Sequence, residues 1–82
     1  MKKILYFSSG WCAPCKMLAP KMDELAKEIT IEKVDVDSQS DIANKFGITS
    51  IPTVIMTVDG EEKERYVGAQ NPKVYLEMYN KY

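Results

Sequence analysis

The chain has 82 residues, the length of one small domain over residues 1–82, which leaves no room for a large cofactor site, so we expect no cofactor. Eleven basic and twelve acidic residues give a net charge of −1 and are interspersed along the chain, which argues against nucleic acid and anionic membranes as partners. The absence of histidine excludes catalysis by Cys–His or Ser–His pairs and removes the commonest metal ligand.

The first two predicted elements are a buried strand and a long amphipathic helix. Lys3–Phe7 is a short apolar run rich in strand-forming residues, and Ser8-Ser9-Gly10 ends it. From Cys12 to Ile29 the apolar residues recur at helical spacing. Pro20 is expected to kink this helix rather than end it, because the apolar pattern continues in phase beyond it. The face expected to be buried consists of Cys15, Leu18, Met22, Leu25, Ala26 and Ile29.

A second strand and a short helix are predicted next. Ile31–Asp35 has the composition of a short strand. Ser38 followed by Asp41 is a capping-box signature, and it predicts a helix over Gln39–Phe46. Gly47 supplies the C-terminal stop of that helix.

The last part of the chain predicts a hairpin followed by a helix. Thr53–Val58 is rich in β-branched residues, and Asp59-Gly60 is a two-residue turn that returns the chain into a strand over Glu61–Val67. The charged residues of this returning strand are typical of an exposed sheet edge. Asn71-Pro72 is a helix-start signature for a final helix that runs to about Tyr82.

The resulting order, β-α-β-α-β-β-α, predicts an α/β fold with a four-stranded mixed sheet flanked by three helices. The first three elements form a βαβ unit with parallel strands, and the last two strands form an antiparallel hairpin. No apolar stretch approaches the length of a membrane span, and Ile4–Phe7 is too short for the core of a signal peptide, so a cytoplasmic protein is expected. In that compartment a lone cysteine pair is expected to be catalytic rather than structural.

Cys12 and Cys15 lie at the junction between the first strand and the first helix, and their spacing places both thiols on one helix face within bridging reach. Cys12 is expected at the exposed helix N-terminus, where the helix dipole and unpaired N–H groups stabilise a thiolate. Cys15, one turn further in, would attack the mixed disulfide and close a Cys12–Cys15 bridge. Ala13 and Pro14 lie between the cysteines and are expected to tune the redox balance of the pair.

Several segments of the chain resemble the thioredoxin family. Trp11-Cys12-Ala13-Pro14-Cys15-Lys16 is similar to the WCGPCK segment of that family, with alanine in place of glycine. Phe46–Thr53 resembles the family's YGIRGIPT segment, and the Asp59-Gly60 hairpin and Val67-Gly68-Ala69 match its closing strands without a gap. The resemblance covers essentially the whole chain, and it includes the helix residues Met17, Ala19, Pro20, Asp23, Glu24, Leu25 and Ala26.

The resemblance implies a minimal thioredoxin fold and a protein-disulfide reductase that cycles between a dithiol and a disulfide. It implies a cis peptide bond between Ile51 and Pro52, in a loop that offers backbone hydrogen bonds to an extended substrate peptide. The implied partners are disulfide-containing target proteins, such as ribonucleotide reductase, peroxide-scavenging enzymes and sulfoxide reductases, and a thioredoxin reductase-like flavoenzyme as electron donor. Nothing suggests an oligomer, so a monomer is expected. The substrate groove would be lined by Trp11, Ile51, Pro52, Gly68 and Ala69.

The chain departs from the family pattern in three places. It starts one strand and one helix short of a full-length thioredoxin, so its minimal core is similar to glutaredoxins and to archaeal or phage small thioredoxins. Gly68–Asn71 does not match the Gly-Gly-x-Asp glutathione site of glutaredoxins. Tyr6 stands where thioredoxins carry a buried aspartate that helps deprotonate the second cysteine, and Lys33 matches the accompanying lysine, a candidate for redox tuning. The proton acceptor for Cys15 is therefore a water, the Tyr6 hydroxyl or neutral Lys33. Ala13 in place of glycine is the third difference, and it is expected to shift the redox potential.

Three other interpretations of the cysteine pair stay open. A zinc half-site would need two further ligands, which only carboxylates or a second chain could supply, so no metal is expected. A thiol oxidase or isomerase would run the same chemistry in the opposite direction, and the absence of a signal peptide argues against it. A redox sensor or binding module would use the pair without turnover, and the expected groove argues against that.

Overall fold

The computed structural model describes residues 1–82, and its seven elements follow the predicted order. All four strands lie within one residue of their expected bounds. No helix is both long enough and apolar enough to cross a membrane. The elements are β1 (Lys2–Ser8), α1 (Ala13–Leu25), β2 (Ile31–Asp35), α2 (Ser40–Lys45), β3 (Thr53–Val58), β4 (Glu61–Val67) and α3 (Pro72–Lys81).

The four strands form one mixed sheet in the order β2-β1-β3-β4, which confirms the expected topology. β1 pairs with β2 in parallel and with β3 antiparallel, and β3 pairs with β4 antiparallel. The register places Phe7 opposite Thr53 and Thr53 opposite Val67. The carboxyl ends of β1 and β2, the start of β3 and the end of β4 therefore meet at one edge of the sheet.

Two apolar clusters hold the helices to the two faces of the sheet. Successive β1 side chains point to opposite faces, so Ile4 and Tyr6 join one cluster while Leu5 and Phe7 join the other. The whole run Ile4–Phe7 is buried because helices cover both faces. The larger cluster, on the face of α1 and α3, adds Leu18, Met22, Leu25, Ile29, Val54, Met56, Tyr75 and Met78.

Helix α1 runs through Pro20, as expected, but it ends at Leu25, four residues before the predicted Ile29. The Lys27 N–H donates to Glu24 O at 3.2 Å and the Glu28 N–H donates to Leu25 O at 2.9 Å, so the chain tightens into three-residue turns. Ile29, which follows these turns, is buried as predicted, whereas Ala26, the C-cap residue, is exposed although the predicted buried face includes it.

The predicted capping box of α2 is wrong. The N-cap residue is Gln39 rather than Ser38, and no side chain caps the helix. The Gln39 amide oxygen instead accepts a hydrogen bond from the Asp35 N–H at 3.1 Å, which ties the helix start to the end of β2. This tertiary contact replaces the local one, and α2 is one residue shorter at each end than predicted.

The two remaining turn and cap predictions are confirmed. Asp59 and Gly60 both have positive φ angles, 53° and 82°, as a tight two-residue hairpin requires. Asn71 caps α3 by accepting a hydrogen bond from the Lys73 N–H at 2.9 Å, and Pro72 begins that helix. The segment between β4 and α3 therefore consists of residues 68–71, and it lies at the same sheet edge as the cysteines.

Candidate active site

Cys12 and Cys15 form a disulfide, so the expectation that both sulfurs lie within bridging reach is confirmed. Their Cα atoms are 5.2 Å apart. Cys12 is the N-cap residue of α1, just beyond the carboxyl end of β1, and Cys15 lies one turn inside the helix. The pair is the only cysteine pair of the chain, and both residues take part in the bridge.

The start of α1 surrounds the Cys12 sulfur with positive potential. The Cys12 Sγ accepts a hydrogen bond from the Cys15 N–H at 3.3 Å, as the oxygen of an ordinary N-cap side chain would do. The first turn carries no acidic residue that would offset the helix dipole. After reduction of the bridge, the same N–H group and dipole favour the thiolate form of Cys12.

Cys12 is more enclosed than the sequence predicts, because we expected it at an exposed terminus and its exposed fraction is 5%. Cys15, predicted on the buried face, is 2% exposed. The reason for the enclosure of Cys12 is the segment Ile51-Pro52, which meets the end of β1 at the start of β3. The Cys12 Sγ lies 3.9 Å from the Ile51 carbonyl oxygen, and Pro52 is buried beside it. The peptide bond between Ile51 and Pro52 is cis, as the resemblance implies.

The five residues predicted to line one groove do not share a single depression, and three of them are divided between two shallow ones. Trp11 and Ile51 line the first, together with Val36, Ile48, Thr49 and Ser50. Ala69 lines the second, together with Pro14, Met17, Leu18, Lys21, Gln70, Asn71 and Pro72. Pro52 is buried, and Gly68 donates its N–H to the Pro52 carbonyl oxygen at 2.8 Å, which joins the two loops.

Trp11 is 70% exposed, and its orientation is set by a residue that sequence reasoning missed. The indole Nε1–H donates to Asp37 Oδ2 at 2.9 Å. Asp37 follows β2, and β1 and β2 are parallel, so the two residues come together at one sheet edge. The signal was available in principle, because polar residues that follow neighbouring parallel strands meet at the same edge.

Tyr6 reaches the cysteine pair through its hydroxyl group. The side chain is buried in the larger cluster, and the hydroxyl donates to the Cys15 carbonyl oxygen at 3.0 Å. Burial raises the pKa of Tyr6, and the nearby negative charge of Asp23 acts in the same direction. The Tyr6 hydroxyl is therefore a protonated donor to the backbone of Cys15 at neutral pH.

Lys33 forms an ion pair with the Asp23 carboxylate, and its side chain is about half exposed, at 52%. It lies opposite Tyr6 in the sheet register, so its side chain is on the α1 face. Its partner is a residue of the helix surface rather than a cysteine. Both charges are accessible to water, which weakens their effect on the disulfide.

The residues present do not assemble a metal site. The structure has no group of three or more histidine, cysteine, aspartate or glutamate side chains placed to hold one ion. Zinc in a structural site takes four nitrogen or sulfur ligands as a rule. The cysteine pair by itself supplies two.

Comparison with known proteins agrees with this geometry. A family model described as Thioredoxin matches residues 1–80. The chain is 41% identical over 80 residues to the thioredoxin of Bacillus subtilis, which covers 93% of this chain and 77% of that protein. It is 43% identical over 83 residues to the chloroplastic thioredoxin M5 of Oryza sativa subsp. japonica, which covers 96% of this chain and 48% of that protein.

Among solved structures, a mutant thioredoxin from Halobacterium salinarum superposes with a TM-score of 0.92 at 31% identity, over 99% of this chain and 74% of that one. The sheet order, the cysteine bridge at the start of α1 and the cis-proline loop define a protein of the thioredoxin fold with a redox-active disulfide. The chain belongs to the thioredoxin family. It spans about half the length of the chloroplastic relatives that it matches.

Proposed function

We propose that the protein is a thiol–disulfide oxidoreductase that reduces disulfides in target proteins through Cys12 and Cys15. The observation that carries the proposal is the Cys12–Cys15 bridge whose first sulfur is the N-cap acceptor of α1. A helix N-terminus makes the capping thiol the more reactive one because it raises the thiolate fraction, and a partner cysteine one turn away makes the bond reversible. Membership of the thioredoxin family also supports electron flow from the protein to its targets.

The reaction consists of two exchange steps. The Cys12 thiolate attacks one sulfur of the target disulfide, which forms a mixed disulfide and releases the other target sulfur as a thiolate. Cys15 loses its proton and attacks the Cys12 sulfur, which closes the Cys12–Cys15 bridge and releases the second target thiolate. The target gains two electrons, and the protein is oxidised to the state described above.

For the second step we propose water as the proton acceptor of Cys15. The Tyr6 hydroxyl is unsuited as a base because it already donates to the Cys15 carbonyl and because burial raises its pKa. Lys33 is unsuited because its Nζ is held by the Asp23 carboxylate on the surface of α1 rather than placed against a cysteine. The proton of Cys15 would pass to solvent once the bridge is open and before Cys15 attacks the Cys12 sulfur.

We propose that target peptides bind in extended form across the cis-proline loop. The Ile51 carbonyl lies 3.9 Å from the Cys12 sulfur, so a peptide held by this loop would present its disulfide to Cys12. Trp11 would contact one side of the peptide, and Ala69 the other, because each lines a separate depression. Exposed apolar surface of this kind is typical of a binding site.

The redox potential is proposed to depend on Ala13 and Pro14, which occupy the first helical turn between the cysteines. Lys33 is expected to contribute little, because its charge is paired with Asp23 at an exposed position. Two couples that differ by about 30 mV differ by roughly 1.4 kcal/mol, so small changes in this turn alter the direction of exchange.

We also propose the domain organisation, the oligomeric state, the electron donor and the location of the protein. We infer that residues 1–82 act as one domain and as a monomer, because both apolar clusters lie on the faces of one sheet. A flavin-dependent reductase of the thioredoxin reductase type would restore the dithiol. The cytoplasm is the compartment in which such a pair is kept reduced, and we propose it as the location.

Insulin reduction driven by dithiothreitol tests the function, followed by measurement of the redox potential against glutathione. We expect turnover and a potential near about −270 mV, the value typical of thioredoxin. Cys12→Ser is the matched inactive control. A potential nearer about −120 mV would contradict the reductase in favour of an oxidant. A reversible disulfide without turnover would instead favour a redox sensor.

A further inference from the structure

Tyr75 is a fully buried residue of α3 whose hydroxyl group bridges the loop between β4 and α3. Its oxygen accepts a hydrogen bond from the Gln70 N–H at 2.9 Å, and its O–H faces the Gly68 carbonyl at 3.5 Å. The ring belongs to the larger apolar cluster, where it packs edge-on against Tyr66 at 6.3 Å between centroids. One core side chain therefore reaches both ends of the segment Gly68–Gln70.

Packing alone does not account for a tyrosine at this position. A leucine or phenylalanine would fill the same apolar space, and burying a hydroxyl is unfavourable unless it forms hydrogen bonds. Both hydrogen bonds that the Tyr75 hydroxyl forms are with the loop backbone. Burial raises the pKa of Tyr75, so the group stays protonated and can keep both bonds at neutral pH.

The loop anchored by Tyr75 is continuous with the cysteine site. The Gly68 N–H donates to the Pro52 carbonyl oxygen at 2.8 Å, and Pro52 follows Ile51, whose carbonyl lies against the Cys12 sulfur. Ala69, the middle residue of the loop, lines the depression that also contains Pro14. The hydroxyl of Tyr75 thus lies on the inner side of the loop Gly68–Gln70, which forms one wall of the site, and it contacts neither cysteine.

We propose that Tyr75 is a positioning residue for target proteins, an inference that rests on the proposed function. Gly68 has a φ of 90°, a conformation that glycine adopts readily, and ordering a glycine costs more backbone entropy than ordering any other residue, so this loop has to be held by hydrogen bonds to neighbouring elements. The Tyr75 hydroxyl supplies such bonds and presents the wall at Ala69 already formed. A preformed wall lowers the ordering cost of binding a peptide.

Binding and chemistry should therefore respond differently to the loss of this hydroxyl. Tyr75→Phe keeps the ring but leaves the Gln70 N–H without its partner. We expect KM for insulin to rise about fivefold to tenfold, which corresponds to roughly 1–1.4 kcal/mol of lost binding. We expect kcat, the redox potential and the rate with a small aromatic disulfide to remain unchanged, because Cys12 and Cys15 keep their surroundings.

Tyr79→Phe is the matched control. Tyr79 lies one turn further along α3, and its hydroxyl donates to the Lys2 carbonyl at 3.5 Å, at the other end of β1 from the cysteines. Tyr79→Phe should leave KM unchanged. The proposal would be overturned if Tyr75→Phe had the same KM for insulin as the wild type. It would also be overturned if KM rose equally in Tyr75→Phe and Tyr79→Phe, or if the rate of Tyr75→Phe fell equally with insulin and with the small disulfide.

Amide hydrogen exchange of the wild-type protein provides a second measurement that needs no variant. The Gln70 N–H should exchange only through large-scale unfolding, like the amides of the β3–β4 ladder. Fast exchange of this amide would show that the hydroxyl does not hold the loop and would overturn the proposal. A wild type that fails to reduce insulin at all would instead overturn the proposed function, and the assigned role with it, even where Gln70 is protected.

Discussion

Replacing Tyr6 with phenylalanine removes one hydroxyl group from beneath α1 and leaves the ring in the core. The lost bond joins the Tyr6 hydroxyl to the Cys15 carbonyl oxygen at 3.0 Å, and both residues are buried. A hydrogen bond of this kind contributes about 1 kcal/mol net to stability. For a domain of this size, that loss lowers the melting temperature by roughly 4–8 °C.

The effect of Tyr6→Phe on catalysis should be small. The Tyr6 hydroxyl is a donor to a backbone carbonyl, and burial raises its pKa, so it is not placed to receive the proton of Cys15. We expect the rate of insulin reduction to stay within a few-fold of the wild type. The dependence of that rate on pH should also keep its shape, since no titrating catalytic group is removed.

Stopped-flow reduction of a small disulfide, turnover of insulin and a thermal melt of the oxidised protein measure these effects together. Tyr79→Phe serves as the control for loss of a tyrosine hydroxyl that is remote from the cysteines. A loss of about a hundredfold in rate with Tyr6→Phe would refute the reasoning, because general acid–base catalysis contributes that much or more. Such a result would make the Tyr6 hydroxyl the group that handles the Cys15 proton.

Three further outcomes are expected. Cys12→Ser should abolish activity and Cys15→Ser should trap mixed disulfides with targets, detectable on non-reducing gels; trapping by the Cys12 variant would reverse the assigned roles. Burial raises the pKa of Tyr6 and Tyr75 in the folded state, so the unfolded chain loses these protons first as the pH rises. Stability in urea should therefore fall as the pH rises above about 10, less steeply in Tyr6→Phe, and an alkaline gain in stability would contradict the assignment. Lys33→Gln removes one partner of an exposed ion pair, and such a pair typically contributes about 1 kcal/mol or less. The redox potential, measured against glutathione, should therefore shift by less than about 20 mV. A larger shift would show that Lys33 tunes the redox potential.

The elements that could be predicted from sequence are those whose signals are local. The strand Thr53–Val58 and the turn Asp59-Gly60 depend on β-branched residues and on positive φ angles, which neighbouring residues specify. The start of α3 at Asn71-Pro72 is equally local. The sheet topology followed because a parallel βαβ unit and a tight hairpin leave few arrangements of four strands.

Two helix boundaries differ from their predictions. At one of them a contact distant in sequence replaced a local hydrogen bond, and at the other the backbone left the α-helical conformation although the apolar periodicity continued. The end of α1 was placed too late because the periodicity reaches Ile29, while the backbone had already tightened after Leu25. The start of α2 was misassigned because Gln39 bonds back to Asp35 rather than capping its own helix. In both cases the side chains were correctly recognised as apolar or polar, but their pattern does not reveal the hydrogen-bond partners.

Two cysteines three residues apart at the start of a predicted helix, in a chain without histidine, were enough to propose thiol–disulfide exchange. How that pair is enclosed, and which groups contact it, depends on the tertiary structure. The Ile51-Pro52 loop covers Cys12, the Tyr6 hydroxyl is a donor to the Cys15 carbonyl, and the Tyr75 hydroxyl accepts a hydrogen bond from the Gln70 N–H. Spacing along a helix is a local property, whereas the partner of a buried polar group depends on which strands the sheet brings to the same edge.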